Sequence, residues 1–277
     1  MSKDVFYCKS FPNLAAFYAY LDGAPANEKF AGRRLESETG TRSFTGTESY
    51  FQANEYLLRG DADSAEMIKK ALLTKVKRAT GTGTKNRQIN AVCGGHVNVP
   101  AMLVGLPKSM KRTEKIHYQN GSKVLSICYN NNASAGYSAK DKAEVSAALV
   151  SAVMALENKG YRINLYASCA AYEPLRGGGR EYVANFVKVK DSGQYMDLKK
   201  LAYPLVNPSF QRRHAFRFRE TMPGLKGGWP GGYGYSVTDA ATVEKLAREA
   251  GLNIKKIVTF YELEGMDAEK IAERLLS

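Results

Sequence analysis

The chain has 277 residues, 44% hydrophobic and 24% charged, with a formal net charge of +13. This composition excludes a disordered chain, and the length suits one large or two modest folded domains with a sizeable core. No apolar stretch is long enough to span a bilayer, and the opening MSKDVFYCKSFPNL lacks the apolar stretch and cleavage site of a signal peptide. The expected setting is therefore the cytoplasm, with no membrane partner. The four cysteines, Cys8, Cys93, Cys128 and Cys169, have no C-x-x-C spacing and read as free thiols.

The first hundred residues read as mostly helical. FPNLAAFYAYLDG suggests a short helix ending at Gly23. FTGTESYFQANEYLLRG carries a capping-box pair, Thr45 with Glu48, and a stop at Gly60. DADSAEMIKKALLTKVKRATG follows, with Asp61 to Ser64 as cap candidates and Met67, Leu72 and Val76 at roughly helical spacing. ATGTGTKNRQ is a loop by composition, and GGHVNVPAMLVGLPKSM reads as an irregular connection.

From about residue 115 the pattern changes to alternating strands and helices. KVLSICY is a nearly continuous apolar run, as in a strand covered on both faces. SAKDKAEVSAALVSAVMALENKG predicts a long helix capped by Ser138 with Asp141 and closed by Gly160. Val145, Leu149, Ala152, Val153 and Leu156 form its apolar stripe. YRINLYAS completes a βαβ unit, which implies two parallel strands and a right-handed crossover. EYVANFVKVKD reads as a strand, antiparallel at an edge. SVTDAATVEKLAREAGL, KKIVTFYELE and DAEKIAERLLS add helix, strand and helix. The expected fold class is α/β: a Rossmann-like, mostly parallel sheet with flanking helices over 96–277, preceded by a mainly helical region over 1–95, the two being separate or one compact unit.

Three consecutive asparagines end the first strand of the βαβ unit, where open α/β sheets bind ligands. A strand ending in D-x-S-x-S, a long amphipathic helix and then G-[YF]-x-[IV]-x-[LV] is how a von Willebrand factor A-like (vWA-like) domain opens. Asn130, Asn132 and Ser134, followed by KGYRINLYA, resemble that pattern with the acidic first ligand replaced. The resemblance implies a vWA-like fold and a degenerate metal site at Asn130, Asn132 and Ser134, for which Mg²⁺ is the fitting hard cation. The family's later Thr and Asp ligands have no clear counterpart; Asp191, Asp197 and Asp239 qualify by residue type alone. The alternative is a turn in which the asparagines satisfy their own backbone and Ser138 caps the helix. The wider layout of SFTGTESYFQANEYLLRGD, HVNVPAMLVGLPKSM and NPSFQRRHAFRFRE also resembles uncharacterised tailed-bacteriophage proteins, which implies a host-cell cytoplasmic setting.

Basic residues cluster at Lys69, Lys70, Lys75 and Arg78, at Lys108, Lys111 and Arg112, and at Arg212, Arg213, Arg217 and Arg219. They are candidates for contacts with nucleic acid or an acidic partner; solvated helix faces are the plainer explanation. NPSFQRRHAFRFRE fits a helix begun at Asn207–Pro208 or a strand with Phe216 and Phe218 facing inward, and its pattern does not decide between them. GTGTK at 81–85 lacks phosphate-loop spacing. RGGGR and GGWPGGYGYS suit flexible connections, with Trp229, Tyr233 and Tyr235 able to stack on a base or sugar if exposed. Cys93 and His96 make half a zinc site with no second pair. The function expected is a non-enzymatic binding module that engages a macromolecule through the asparagine loop and basic surface. Nucleic-acid binding is the alternative, and an enzyme acting on a nucleotide or phosphate ligand the third possibility.

Overall fold

The computed structural model describes residues 4–74, 84–117, 123–229 and 232–277. The chain opens with strand β1 (Val5–Phe11) and helix α1 (Leu14–Leu21), which Asn13 caps by accepting from Ala16 N. Two single-turn helices, α2 (Glu36–Thr39) and α3 (Arg42–Thr45), lead into α4 (Tyr50–Arg59) and α5 (Ala62–Thr74). The Thr45–Glu48 capping box does not form. Thr45 closes α3, its hydroxyl donating to the Thr41 and Thr47 carbonyls, and Ser49 caps α4 by accepting from Gln52 N at 3.1 Å. Between α4 and α5 the backbone turns through Gly60 at φ +92°, where a Cβ would lie 2.8 Å from the Lys199 carbonyl carbon.

Strands β2 (Thr84–Ala91), β3 (His96–Val97) and β4 (Met110–His117), with helix α6 (Val99–Leu103) between β3 and β4, make a small antiparallel sheet in the order β2-β4-β3. Strands β1 and β2 thus interrupt the expected helical stretch. TKNRQINA has no apolar alternation to announce a strand, so only pairing with β4 defines β2. Of the expected loop 79–88, residues 79–83 lie outside the described residues and the rest belongs to β2.

The main sheet begins with β5 (Val124–Asn130), followed by α7 (Ala139–Asn158), β6 (Arg162–Pro174) and β7 (Arg180–Lys190). Helix α8 (Leu198–Val206), a π-helical turn (Phe210–Ala215) and α9 (Phe216–Thr221) come next. Strand β8 (Tyr235–Ser236), α10 (Ala240–Glu249), β9 (Lys256–Thr259), α11 (Phe260–Leu263) and α12 (Ala268–Leu276) complete the chain. The strand order is β1-β7-β6-β5-β9, with β8 attached to β6. β5 runs parallel to β6, from Val124 opposite Arg162 to Asn130 opposite Ser168, and parallel to β9. β1 is parallel to β7, while β7 and β8 are antiparallel to β6. The protein is therefore mixed α/β with a mostly parallel central sheet and flanking helices, and the βαβ unit forms as its periodicity predicts.

β7 is antiparallel as expected but internal, because β1 takes the edge. Along β6 and β7, Ala167, Cys169, Val183 and Val187 contribute to the core beneath α1, α4 and the π-helical turn. Tyr166, Ala170, Ala184 and Phe186, which alternate with them, pack under α10. Helix α7 packs against α5, α8 and α12 as well as the sheet, so burial extends beyond its predicted stripe to Lys142 and Ser146. NPSFQRRHAFRFRE is helical, and its interior faces the β6–β7 core.

Candidate functional site

A cleft of about 460 Å³ lies past the carboxyl end of β5, between the N-terminal ends of α5 and α7. Ala135 to Ala139 form one wall, Asp61, Asp63 and Ser64 another, and Arg42, Gly46, Asn207 and Arg212 close it. Both helix ends are capped. Ser138 and Asp141 make the predicted capping box, and Asp61 accepts from Ser64 N at 3.0 Å. The buried Asp61 carboxyl also accepts from Ser64 Oγ at 2.6 Å and Asn207 Nδ2 at 2.7 Å, so both its oxygens are held by the fold. Gly46, at φ +88°, lets its backbone approach Asn207: a Cβ there would sit 2.9 Å from Asn207 Oδ1.

Arg212 joins the two sides. Its guanidinium lies 4.6 Å from the centroid of the Phe44 ring and donates to the carbonyls of Phe44, at 2.5 Å, and Ala135, at 3.4 Å. Burial lowers its pKa from the usual range. Arg42 stands at the rim, paired to Glu48 at 2.6 Å. The lining contains no His or Cys among the described residues.

The asparagines lie beneath this cleft, buried, and their side chains hold the fold together. Asn130 Oδ1 accepts from Ala170 N at 3.0 Å and Nδ2 donates to Val237 O at 2.8 Å, leaving no oxygen aimed at a cation. Asn131 Nδ2 donates to Pro204 O at 2.5 Å. That carbonyl needs a donor because the residue four positions on, its partner in a continued helix, is Pro208, which has no N–H. Asn132 Nδ2 donates to Ala170 O at 2.5 Å, while Asn132 Oδ1 is buried without a partner. Ser134 is exposed, and its backbone N–H donates to Tyr261 Oη at 2.9 Å. The three expected metal ligands therefore do not present a converging set of oxygens. Among the described residues no three His, Cys, Asp or Glu side chains gather to supplement them. Asp197 and Asp239 cap α8 and α10, and Asp191 accepts from Gly193 N in the turn after β7.

A fixed cation occupies this loop instead. Lys142, one turn into α7 and fully buried, donates from Nζ to Gln211 Oε1 at 3.0 Å and to Asn131 O at 3.3 Å. Burial, the largest cause, lowers its pKa to about 8. Gln211 in turn donates to Ala133 O at 2.8 Å, tying the π-helical turn to the loop. No sequence signal singles out Lys142 or Gln211. Lys142 lies in the polar first turn of a helix, and its burial follows from the crowd of helices around α7.

The basic candidates fall on three different elements. Lys69 and Lys70 are exposed on α5, with Lys69 paired to Glu66 at 2.6 Å; Lys75 and Arg78 lie outside the described residues. Lys108 precedes β4, and Lys111 and Arg112 lie on it; Lys108 and Arg112 are exposed and Lys111 half-buried. In the third cluster Arg212 lines the cleft, whereas Arg213, Arg217 and Arg219 turn inward and are corrected from a phosphate-contacting surface to an internal brace. Arg213 is wholly buried and spends every donor group on the 37–47 segment: Nε on Thr47 Oγ1, Nη1 on Ser37 O and Glu38 O, Nη2 on Gly40 O and Thr47 O. Arg219 is buried and donates to Tyr233 O at 2.9 Å; burial lowers its pKa to about 10. Arg217 bonds Ala24 O at 2.8 Å and pairs with Glu38 at 3.3 Å. Trp229 is buried with Nε1 donating to Glu181, and Tyr233 is buried against Phe216, so neither can stack on a base; Tyr235 is exposed.

Residues 3–275 match the family model described as "Domain of unknown function (DUF7192)". No curated protein and no solved structure matches the chain.

Proposed function

The chain belongs to the DUF7192 family, and we propose that it is a non-enzymatic binding module of vWA-like topology whose strand-end cleft receives an acidic or phosphorylated group of a macromolecular partner. The observation that carries this reading is the position of the cleft: it opens at the carboxyl end of the central parallel strand β5, where the N-terminal end of α7 meets Arg212 and Arg42. The vWA-like assignment is supported by the βαβ unit at the sheet centre, with the antiparallel β7 beyond β6 and β9 on the other side of β5. The buried Lys142 ammonium supplies positive charge at the loop where a metal-binding relative would place its cation, so binding in this reading is metal-independent. A binding role fits the cleft better than catalysis, because the hydroxyl–carboxylate pair in its walls, Ser64 with Asp61, is buried and Asp61 is fully engaged by Ser64 and Asn207. A tailed-bacteriophage setting remains the expected context, on the sequence resemblance alone.

Nitrogen-15 NMR titration tests this with two probes, inorganic phosphate and a glutamate-rich peptide. Saturable shifts confined to Gly46 and to Ala135 through Ala139, abolished in an Arg42→Gln/Arg212→Gln variant that keeps its melting temperature, are expected. Shifts that never saturate, or that survive in the double variant, would refute the assignment.

A further inference from the structure

We propose that the β2–β4 ribbon is a duplex-DNA-binding element that lies in the major groove. Its register decides which residues share a face. Asn86 pairs with Lys115, Gln88 with Thr113 and Asn90 with Lys111, and His96 of β3 also stands opposite Lys111. Residues directly opposite one another share a face in an antiparallel pair, as do alternate residues along a strand. Among the residues whose side chains are described, that face carries Gln88, Asn90, His96, Lys111 and Thr113: amides, a hydroxyl, an imidazole and an ammonium group, with no apolar and no acidic residue. The amides, hydroxyl and imidazole both donate and accept, the ammonium donates, and no carboxylate among the described side chains of this face opposes a phosphate. Those are the groups that read base edges.

Charge and dimensions agree. Residues 84–117 hold six Lys or Arg against the single acid Glu114, in a chain already at +13. The eight paired positions of β2 and β4 extend about 26 Å, and a two-stranded ribbon fits a B-form major groove about 12 Å wide. The A-form major groove of double-stranded RNA is too deep and narrow to admit it. Gln88, Asn90, His96 and Thr113 are exposed, although Asn90 Oδ1 already accepts from Asn98 Nδ2 at 3.2 Å; Arg112, opposite Ile89, is on the other face. Among the described residues none of this ribbon belongs to the three cores, and its strands make their substantial contacts only with one another. The ribbon thus contributes little to the fold it is attached to, and its polar face is left to a partner. This inference does not depend on the strand-end cleft.

Fluorescence anisotropy with a random-sequence 30-base-pair DNA duplex, at salt concentrations from 50 to 200 mM, tests it in the full chain. Binding is expected with a log–log salt slope that falls by about 2 in the Lys108→Gln/Lys111→Gln variant, since each lost phosphate contact removes about 0.9. At 200 mM salt that variant is expected to bind at least tenfold more weakly, with an unchanged melting temperature. Gln88→Ala should leave the slope intact while reducing the sequence preference recovered from the pool. Methyl green, a major-groove ligand, should compete, whereas netropsin, which fills the minor groove, should not. The proposal is overturned by full retention of binding in the double variant, by equal affinity for an RNA duplex, or by displacement with netropsin. It is also overturned by association with phosphatidylglycerol-containing vesicles in place of DNA that is lost in Met102→Ser/Leu103→Ser, which would assign the exposed aliphatic tip of the ribbon to a lipid surface.

Discussion

His214 provides a pH-dependent stability that can be isolated by one substitution. It is wholly buried, with Nδ1 2.7 Å from Tyr203 Oη and Nε2 2.8 Å from Asn54 Oδ1, beneath the rings of Tyr50 and Phe17. Asn54 offers an acceptor, so Nε2 carries the proton and Nδ1 accepts from the tyrosine hydroxyl. A second ring proton would face the Tyr203 oxygen, so that hydroxyl could no longer donate to Nδ1 and would have to turn away. Burial first, and then the Arg213 charge, lower the pKa from 6.5 to about 3. The unfolded chain therefore binds this proton as pH falls through 6.5, while the folded chain resists until about 3. Stability contributed by the neutral ring is present above 6.5 and lost progressively as pH falls between those values. At about 1.4 kcal/mol per pH unit, lowering the pH from 7.5 to 4.5 removes roughly 3 kcal/mol through this residue. Urea denaturation of the wild type and His214→Gln at both pH values measures it. Carboxyls raised by burial, such as Glu220 and Glu173, act in the opposite sense but are common to both proteins and cancel in the comparison. The wild type should lose roughly 3 kcal/mol more than the variant over that interval. Equal losses would show that the folded protein accommodates a charged imidazole, and the account of this buried triad would fail.

Asn130→Asp should destabilise the fold by about 3 to 5 kcal/mol, because it replaces the donor to Val237 O with a buried, unpaired carboxylate oxygen. Magnesium at 10 mM should raise the melting temperature of neither protein; a rise seen only in the variant would show that the loop can hold a cation. Gly60→Ala should cost about 3 kcal/mol or more, since φ +92° and ψ 161° lie in a region that only glycine occupies readily and the new Cβ meets the Lys199 backbone. A denaturation midpoint unchanged from wild type would contradict the close α4–α8 approach.

Local patterns were legible where local physics sets them. The Ser138–Asp141 capping box, the stop at Gly160 and the apolar run of β5 each depend on residues within a few positions, and together they predict the βαβ unit that organises the sheet. The same local logic places a ligand site at the end of β5, and the cleft opens there. The identity of the groups facing that cleft was not legible. Asn130, Asn131 and Asn132 meet Val237, Pro204 and Ala170, 38 to 107 positions away, so whether they bind a cation or brace the backbone depends on how distant segments dock. β1 was hidden because its pairing partner β7 lies about 176 positions on.

What the sequence by itself determined is the βαβ unit from β5 to β6, with the capping box of α7 and the parallel pair at the centre, because hydrogen bonds within a helix and the alternation of a strand are short-range. Only the tertiary structure decided the fate of the arginines. QRRHAFRFRE has the composition of a surface that grips phosphate, yet carbonyls at Ser37, Gly40 and Thr47 reach Arg213 across more than 160 positions and satisfy it inside the protein. A guanidinium can be buried wherever enough acceptors converge on it, and that convergence is a property of packing, not of the neighbouring residues.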